Sequence, residues 1–378
     1  MAVLTEEQTL LRDSARTWTQ EKSPVAAFRK MRDSGAALGY DSAAFAEMAS
    51  MGWAGVIIPE EYGGSGFGYL GMGLILEETG RTLTASPLLA SALAGASALI
   101  LGGTDAQKQA WLPKIAAGEA VATLAVDEGP HHAPLKTALA ATPADGGHSL
   151  SGTKTFVLEG MAADLFIVAA RTSGAPGEAE GITLFLVPAS AAGLTRQALK
   201  MADSRGVANV TFAGVKVGAD AVLGEEGQGD PVLEKVLDRA RAGLAAEMLG
   251  SALQGFETTV DYLKTRVQFG QVIGAFQALQ HRAAKMFTDL ELTRSCVEAA
   301  LSAIDADSAD VPELVSLAKA KAGDTLHLVS NEMVQMHGGI GMTDAHDAGL
   351  YLKRARAAEA AFGNQAFHRD RYARLQGY

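Results

Sequence analysis

Two stretches near the carboxyl end place polar side chains and tight glycine turns at helix junctions: RVQFGQVIGAFQALQHRAAKM, Arg266–Met286, and QMHGGIGMTDAHDAGLYLKRAR, Gln335–Arg356. A guanidinium, several carboxamides and backbone amides bared at glycines can hold a phosphate or the polar edge of a nucleoside. A plainer reading makes Gly338, Gly339 and Gly341 a helix C-cap with its loop, and Arg266 a solvated surface charge. Together the stretches suggest contact with an anion or an adenosine.

Other constellations offer less. Gly66, Gly68 and Gly71 satisfy G-x-G-x-x-G, but they follow PEEYGGS rather than a strand and lie outside any βαβ alternation. A turn between helices is expected there, not a dinucleotide site. His131 and His132 come without H-E-x-x-H, a cysteine cluster or carboxylates at ligand spacing, so no metal site is expected. There is no G-x-S-x-G elbow for a nucleophilic serine. The single cysteine, Cys296, lies in an amphipathic helical pattern and reads as a buried, inert thiol in a reducing compartment.

The elements that must position these groups follow an α, β, α order. Helical spacing runs from Thr5 to about Gly118, with Thr5 and Gln8 at capping-box distance, and the apolar run Leu88–Leu101 reads as a buried helix too short to span a membrane. β-rich runs DLFIVAAR, GITLFLVP and VANVTFAGVKV follow, separated by turn formers, and predict an antiparallel β-domain. Long helices return at roughly Val232–Gln268, Gln277–Asp305, Pro312–His337 and Asp347–Phe362. The domains expected are therefore residues 1–118, 119–228 and 229–378. A net charge of −11 over 378 residues disfavours a polyanionic partner, so no nucleic acid is expected. With no basic, apolar leader, the chain is expected to be cytoplasmic, without membrane insertion.

In this order, after PEEYGG and around a central β-domain, the stretches resemble the acyl-CoA dehydrogenase family over essentially the whole chain. The resemblance implies an α+β fold with an amino-terminal helical domain, a β-barrel-like middle domain and a carboxyl-terminal four-helix bundle. It also implies FAD, dimers or tetramers, an acyl-CoA thioester substrate and an electron-transferring flavoprotein as acceptor. In that chemistry a carboxylate removes the α-proton of the thioester while hydride leaves the β-carbon for the flavin.

Family motifs contacting the pyrophosphate and adenosine end of FAD match Arg266, Gln268, Phe269, Phe276, Gln277, Gln335, Gly338 and Gly339. Arg241 matches a substrate-side arginine. The flavin-ring half departs from the pattern. VDEGPHHAP keeps Glu128 but has Asp127 where a threonine belongs, adding an anion where reduced flavin gathers negative charge. In Lys154–Gly160, Phe156 can still pack on a ring, whereas Leu158 replaces a hydroxyl.

Aligning KRAR with the family's R-D-A-R places Phe362 at the usual catalytic glutamate, and the alternative base position is Ala240. Glu247 is about 10 Å along the helix from Ala240 at 1.5 Å per residue. Glu359 lies one turn before Phe362, where a solvated or ion-paired glutamate is the plainer reading. The resemblance leaves three readings. The chain is a base-lacking subunit that completes a homologous partner's FAD site, as in heteromeric members that handle bulky thioesters; a self-sufficient homo-oligomer using Glu247 or Glu359; or a flavin-free structural or CoA-binding module.

Overall fold

The computed structural model describes residues 4–378 and divides into two compact units. One takes in the chain up to Lys30, Tyr69–Thr84 and Arg241–Tyr378; the other takes in Met31–Gly68 and Ala85–Ala240. The amino-terminal helices are α1 (Glu6–Lys22), α2 (Val25–Ser34), α3 (Ser42–Ser50), α4 (Tyr69–Arg81), α5 (Ala96–Gly102) and α6 (Asp105–Ala116). The box predicted at Thr5 caps α1: the Thr5 hydroxyl accepts from the Gln8 amide at 3.2 Å, and the Gln8 side chain accepts from the Thr5 amide at 3.0 Å. Thr104 and Gln107 repeat the device at α6.

The run Leu88–Leu101 is buried through Leu99, but it is not one regular helix. Leu88–Gly95 is wound as a wide π-helix, and α5 continues from Ala96. Small residues permit a close neighbour here, since a Cβ on Gly95 would lie 2.8 Å from that of Ala122.

The middle of the chain forms, among the described residues, one eight-stranded sheet. Its strands are β1 (Ala122–Ala125), β2 (Ala140–Ala144), β3 (Gly147–Leu158), β4 (Leu165–Arg171), β5 (Ile182–Pro188), β6 (Leu194–Ala198), β7 (Val207–Gly218) and β8 (Val222–Leu223). The spatial order is β6-β7-β3-β2-β4-β5-β8, with β1 beside β4. Phe166, Phe185 and Phe212 pack with Leu150, Val168 and Val210 as its core. Asp145-Gly146 closes the β2–β3 hairpin, with Gly146 at φ 77°, the signature of a tight turn between twisted strands.

The sheet is mixed rather than antiparallel as expected. β1 runs parallel to β4 in register Ala122↔Leu165 to Ala125↔Val168, and β2 meets β4 through the parallel pair Ala140↔Arg171. The physical reason is the connection. Short turns force antiparallel neighbours, but the whole β2–β3 hairpin intervenes between β1 and β4, long enough for the chain to re-enter in the same direction.

The carboxyl-terminal bundle comprises α7 (Asp230–Thr265), α8 (Gln277–Asp305), α9 (Val311–His337), α10 (Ala348–Ala360) and α11 (Gln365–Leu375), with the hairpin β9 (Val267–Gln268) and β10 (Gln271–Val272) between α7 and α8. α8 has the bounds predicted for it. α7 stops before Gln268 because that residue pairs with Gln271 in the hairpin, and α11 was not anticipated. Only His368 of α11 is fully buried, so QAFHRDRYARL shows no apolar stripe to read. Cys296 in α8 is half-buried rather than buried, and desolvation raises its pKa. No helix among the described residues is long and apolar enough to cross a membrane.

Candidate functional site

In the sheet-bearing unit, the loop after β1 and the end of β3 meet. Lys154 is wholly buried, and its ammonium donates to Glu128 Oε1 at 2.6 Å and to the Val126 carbonyl at 2.8 Å. Burial pushes its pKa down to about 8 against the opposing pull of Glu128. Glu128 also accepts from the Ala138 and Leu139 amides, so its carboxylate is committed to holding this loop. Asp127 is turned into the same loop, accepting from His132 Nδ1 at 2.9 Å and the Ala133 amide at 3.0 Å. The charge introduced by Asp127 is thereby spent on local hydrogen bonds.

A register shift between Lys154 and Val157 marks a bulge in β3, and Phe156 sits in it at φ 52°, 45% exposed. A bulky residue held in the left-handed region costs energy, and such outliers gather at ligand-facing sites. Leu158 carries no side-chain hydroxyl, and its carbonyl instead accepts from Thr123 Oγ1 at 2.6 Å.

In the helical unit, α10 ends at Ala360, short of the Phe362 expected from the sequence. Ala361 is extended, and the first left-handed residue is Phe362 at φ 55°, followed by Gly363 at φ 102°. The Phe362 carbonyl accepts from Arg241 Nε at 3.3 Å and lies 3.1 Å from His368 Nε2. Arg241 is fully buried, with its guanidinium 5.5 Å from the centroid of the Phe367 ring. Burial and the neighbouring cations Arg241 and Lys319 press the His368 pKa down to about 2, which keeps that ring neutral. Phe362 itself is half-buried, and Ala240 is buried within α7.

Both alternative carboxylates are engaged. Glu247 is buried and pairs with Arg354, both Nε and Nη2 lying 2.9 Å from Oε1. Glu359 binds Arg356 at 2.8 Å and lies 3.2 Å from His327 Nδ1.

The residues of the two opening stretches lie at the surface. Arg266, Gln268, Gln277 and Gln335 are exposed, and none of their side chains has a partner among the described residues. Phe269 is 87% exposed at φ 54°, in edge contact with the half-buried Phe276 at 6.0 Å. Gly338 and Gly339 have open space where a Cβ would be. The end of α7 is tied to the end of α9 by Tyr262, whose ring lies 4.4 Å from that of His337. The tie sits four residues before Arg266 and directly before Gly338. An unpaired guanidinium, free carboxamides and bare glycine backbone suit an anionic, adenosine-bearing group.

Sequence reasoning missed Lys319, His368 and the His132 contact to Asp127. A signal existed for Lys319. It falls on the apolar stripe of α9 shared by Val315, Ala322, Leu326, Val329 and Met333, where a lysine is out of place. His132 and His368 gain their partners through loop and turn geometry, which leaves no periodic trace.

Profiles of one family match along the chain: Acyl-CoA dehydrogenase, N-terminal domain at residues 5–119, middle domain at 126–215 and C-terminal domain at 227–376. The chain is 33% identical over 323 residues to a 2-methylacyl-CoA dehydrogenase of Solanum tuberosum, covering 83% of this chain and 77% of that protein. Its structure is similar to butyryl-CoA dehydrogenase from Megasphaera elsdenii, with TM-score 0.92, 27% identity, and 100% and 99% of the two chains covered. It is also similar to a chain of the ChsE4-ChsE5 complex from Mycobacterium tuberculosis, with TM-score 0.90, 27% identity and full coverage of both chains.

Proposed function

Because this chain belongs to the acyl-CoA dehydrogenase family, we propose that it is the base-lacking subunit of a heteromeric acyl-CoA dehydrogenase, one that completes the FAD site of a homologous partner. The observation that carries this reading is the turn after α10. Phe362 occupies the position where the resemblance expects a carboxylate, and no side-chain rotation of a phenylalanine can accept a proton. Glu247 and Glu359 do not relieve the deficit, since each would first have to leave an ion pair.

The residues fit FAD in two unequal halves. Arg266 would hold the pyrophosphate through charge-assisted bonds, with Gln277, Gln335 and the Gly338–Gly339 backbone beside the adenosine. Phe156 would face the ring system, but Leu158 cannot donate to it. FAD held there would supply the acceptor for hydride from the β-carbon of the thioester. This chain's own part is to bind and orient the nucleotide, while the carboxylate that takes the α-proton comes from the partner. The complex would then pass electrons to an electron-transferring flavoprotein. The ChsE4-ChsE5 structure is a precedent for a chain of this fold in a complex of two named proteins.

Purifying the chain alone and with a co-expressed homologous subunit tests the reading. The expected outcome is flavin absorbance only in the co-expressed complex, bleached by an acyl-CoA. Stable flavin in the chain alone, bleached by an acyl-CoA, would establish the self-sufficient reading instead. Absence of flavin from both preparations would favour the structural or CoA-binding module.

A further inference from the structure

The end of α10 shows a use for a residue the chemistry above leaves out. A helix leaves its last carbonyls without intrahelical donors, and buried ones must find others. Here the accounting is specific. The Ala357 carbonyl accepts from the Ala361 amide, and that of Ala360 accepts from the Gly363 amide. Those of Ala358, Glu359 and Gly363 accept from one atom, Lys319 Nζ, at 3.0, 3.3 and 3.0 Å. The Phe362 carbonyl is met by Arg241 and His368. Lys319 is 1% exposed and reaches across from α9.

We propose that Lys319 is a positioning residue: its ammonium clamps the end of α10 and the turn after it, and so fixes the left-handed conformation in which position 362 is presented. Only a protonated amine has three N–H donors for three carbonyls; the neutral amine has two. The carboxyl end of a helix carries partial negative charge, which favours a cation there. A phenylalanine at φ 55° is held in a sparsely populated conformation, and such strain persists only where the surroundings over-determine it. Carbonyls on both sides of Phe362, at Glu359 and Gly363, are tied to the same nitrogen, so the turn cannot relax without breaking the clamp. The inference does not depend on which subunit carries the base.

The charged and titratable groups facing Lys319 are Glu359 and Arg354 of α10, Arg241 of α7 and His368 of α11, with Arg371 acting on His368 in turn. Burial lowers the Lys319 pKa to about 7, with Glu359 opposing the shift, whereas His368 titrates far below neutrality. Because this folded pKa lies below the ordinary 10.5, an opening that returns Lys319 to water takes up a proton above about pH 7, so opening of the turn should become harder as pH rises through neutrality, while a lysine that does not hold the turn would show no such dependence.

Amide hydrogen exchange on the full-length protein, in its complex if it purifies as one, tests this. Protection of the Ala361 and Gly363 amides is read against the middle of α8 after correction for intrinsic rates. From about pH 6 to about pH 9 the wild-type ratio should rise by about tenfold or more, as an opening that frees Lys319 becomes harder. Lys319→Gln, which keeps two N–H donors but no titration, should give a lower ratio that is flat with pH. A wild-type ratio constant across that range overturns the proposal, whether or not the variant folds. A Lys319→Gln curve that follows the wild type overturns it equally.

Discussion

His368 is a residue whose buried position requires one protonation state. It sits in α11 with Nε2 against the Phe362 carbonyl, so the neutral tautomer protonated at Nε2 is the one that fits, and burial beside Arg241 and Lys319 excludes a second proton. Its folded pKa of about 2 lies below the ordinary 6.5, so the unfolded chain binds more protons anywhere between those values. The stability it contributes is complete above about pH 6.5 and is lost progressively as pH falls toward 2. His368→Gln keeps an N–H for the carbonyl and removes the titration. The urea midpoint of the variant should fall less steeply than that of wild type between about pH 6 and about pH 3. Parallel slopes would show that His368 does not govern this limb. Phe362 belongs to the same scale: its identity was readable, whereas the convergence of Arg241, His368 and Lys319 on its turn was not, because those residues come from three different helices.

Among elements, the crossing of α4 and α7 is close and depends on one glycine from each. A Cβ on Gly250 would lie 1.8 Å from the Glu77 carbonyl oxygen, and one on Gly80 would lie 2.1 Å from that of Glu247. Both obstacles are backbone, which cannot rotate away as a flexible side chain can. Gly250→Ala gains about 1 kcal/mol of helix propensity. It also forces the helices apart at an overpacking cost of about 1–3 kcal/mol or more. Net destabilisation is therefore expected, read as a lower urea midpoint with unchanged slope; a midpoint equal to or above that of wild type would refute the predicted clash. The crossing also adjoins the Glu247–Arg354 pair, so the same variant should loosen that pair.

For the whole molecule, the decisive quantity is flavin occupancy in the assembled protein. Arg266 is exposed and has no side-chain partner among the described residues, so truncating it should leave the fold of this chain intact. On the proposed reading, Arg266→Ala lowers FAD content of the co-expressed complex by about tenfold or more in affinity, the loss of one charge-assisted contact of about 1.5–3 kcal/mol. The thermal midpoint of this chain alone should stay within about a degree of wild type, as surface substitutions usually do. Full FAD occupancy in the variant complex would remove Arg266 from the nucleotide site. Assembly enters for a simple reason: a nucleotide contact built from exposed arginine, glutamine and phenylalanine side chains is only half enclosed by the chain that supplies it.

The sequence by itself determined the family, the α, β, α order, the capping box at Thr5, the bounds of α8 and the apolar side chains at positions 240 and 362. These are properties of local periodicity, cap chemistry and residue identity, all of which lie along the chain. Tertiary structure decided the rest. It made the sheet mixed, wound Leu88–Gly95 as a π-helix, turned Asp127 into its own loop and engaged Glu247 with Arg354. It also drew Lys319 out of an apolar stripe to clamp a turn 40 residues away. Hydrogen bonds and ion pairs between distant residues have no period in sequence, so only folding reveals which buried donor meets which orphaned acceptor.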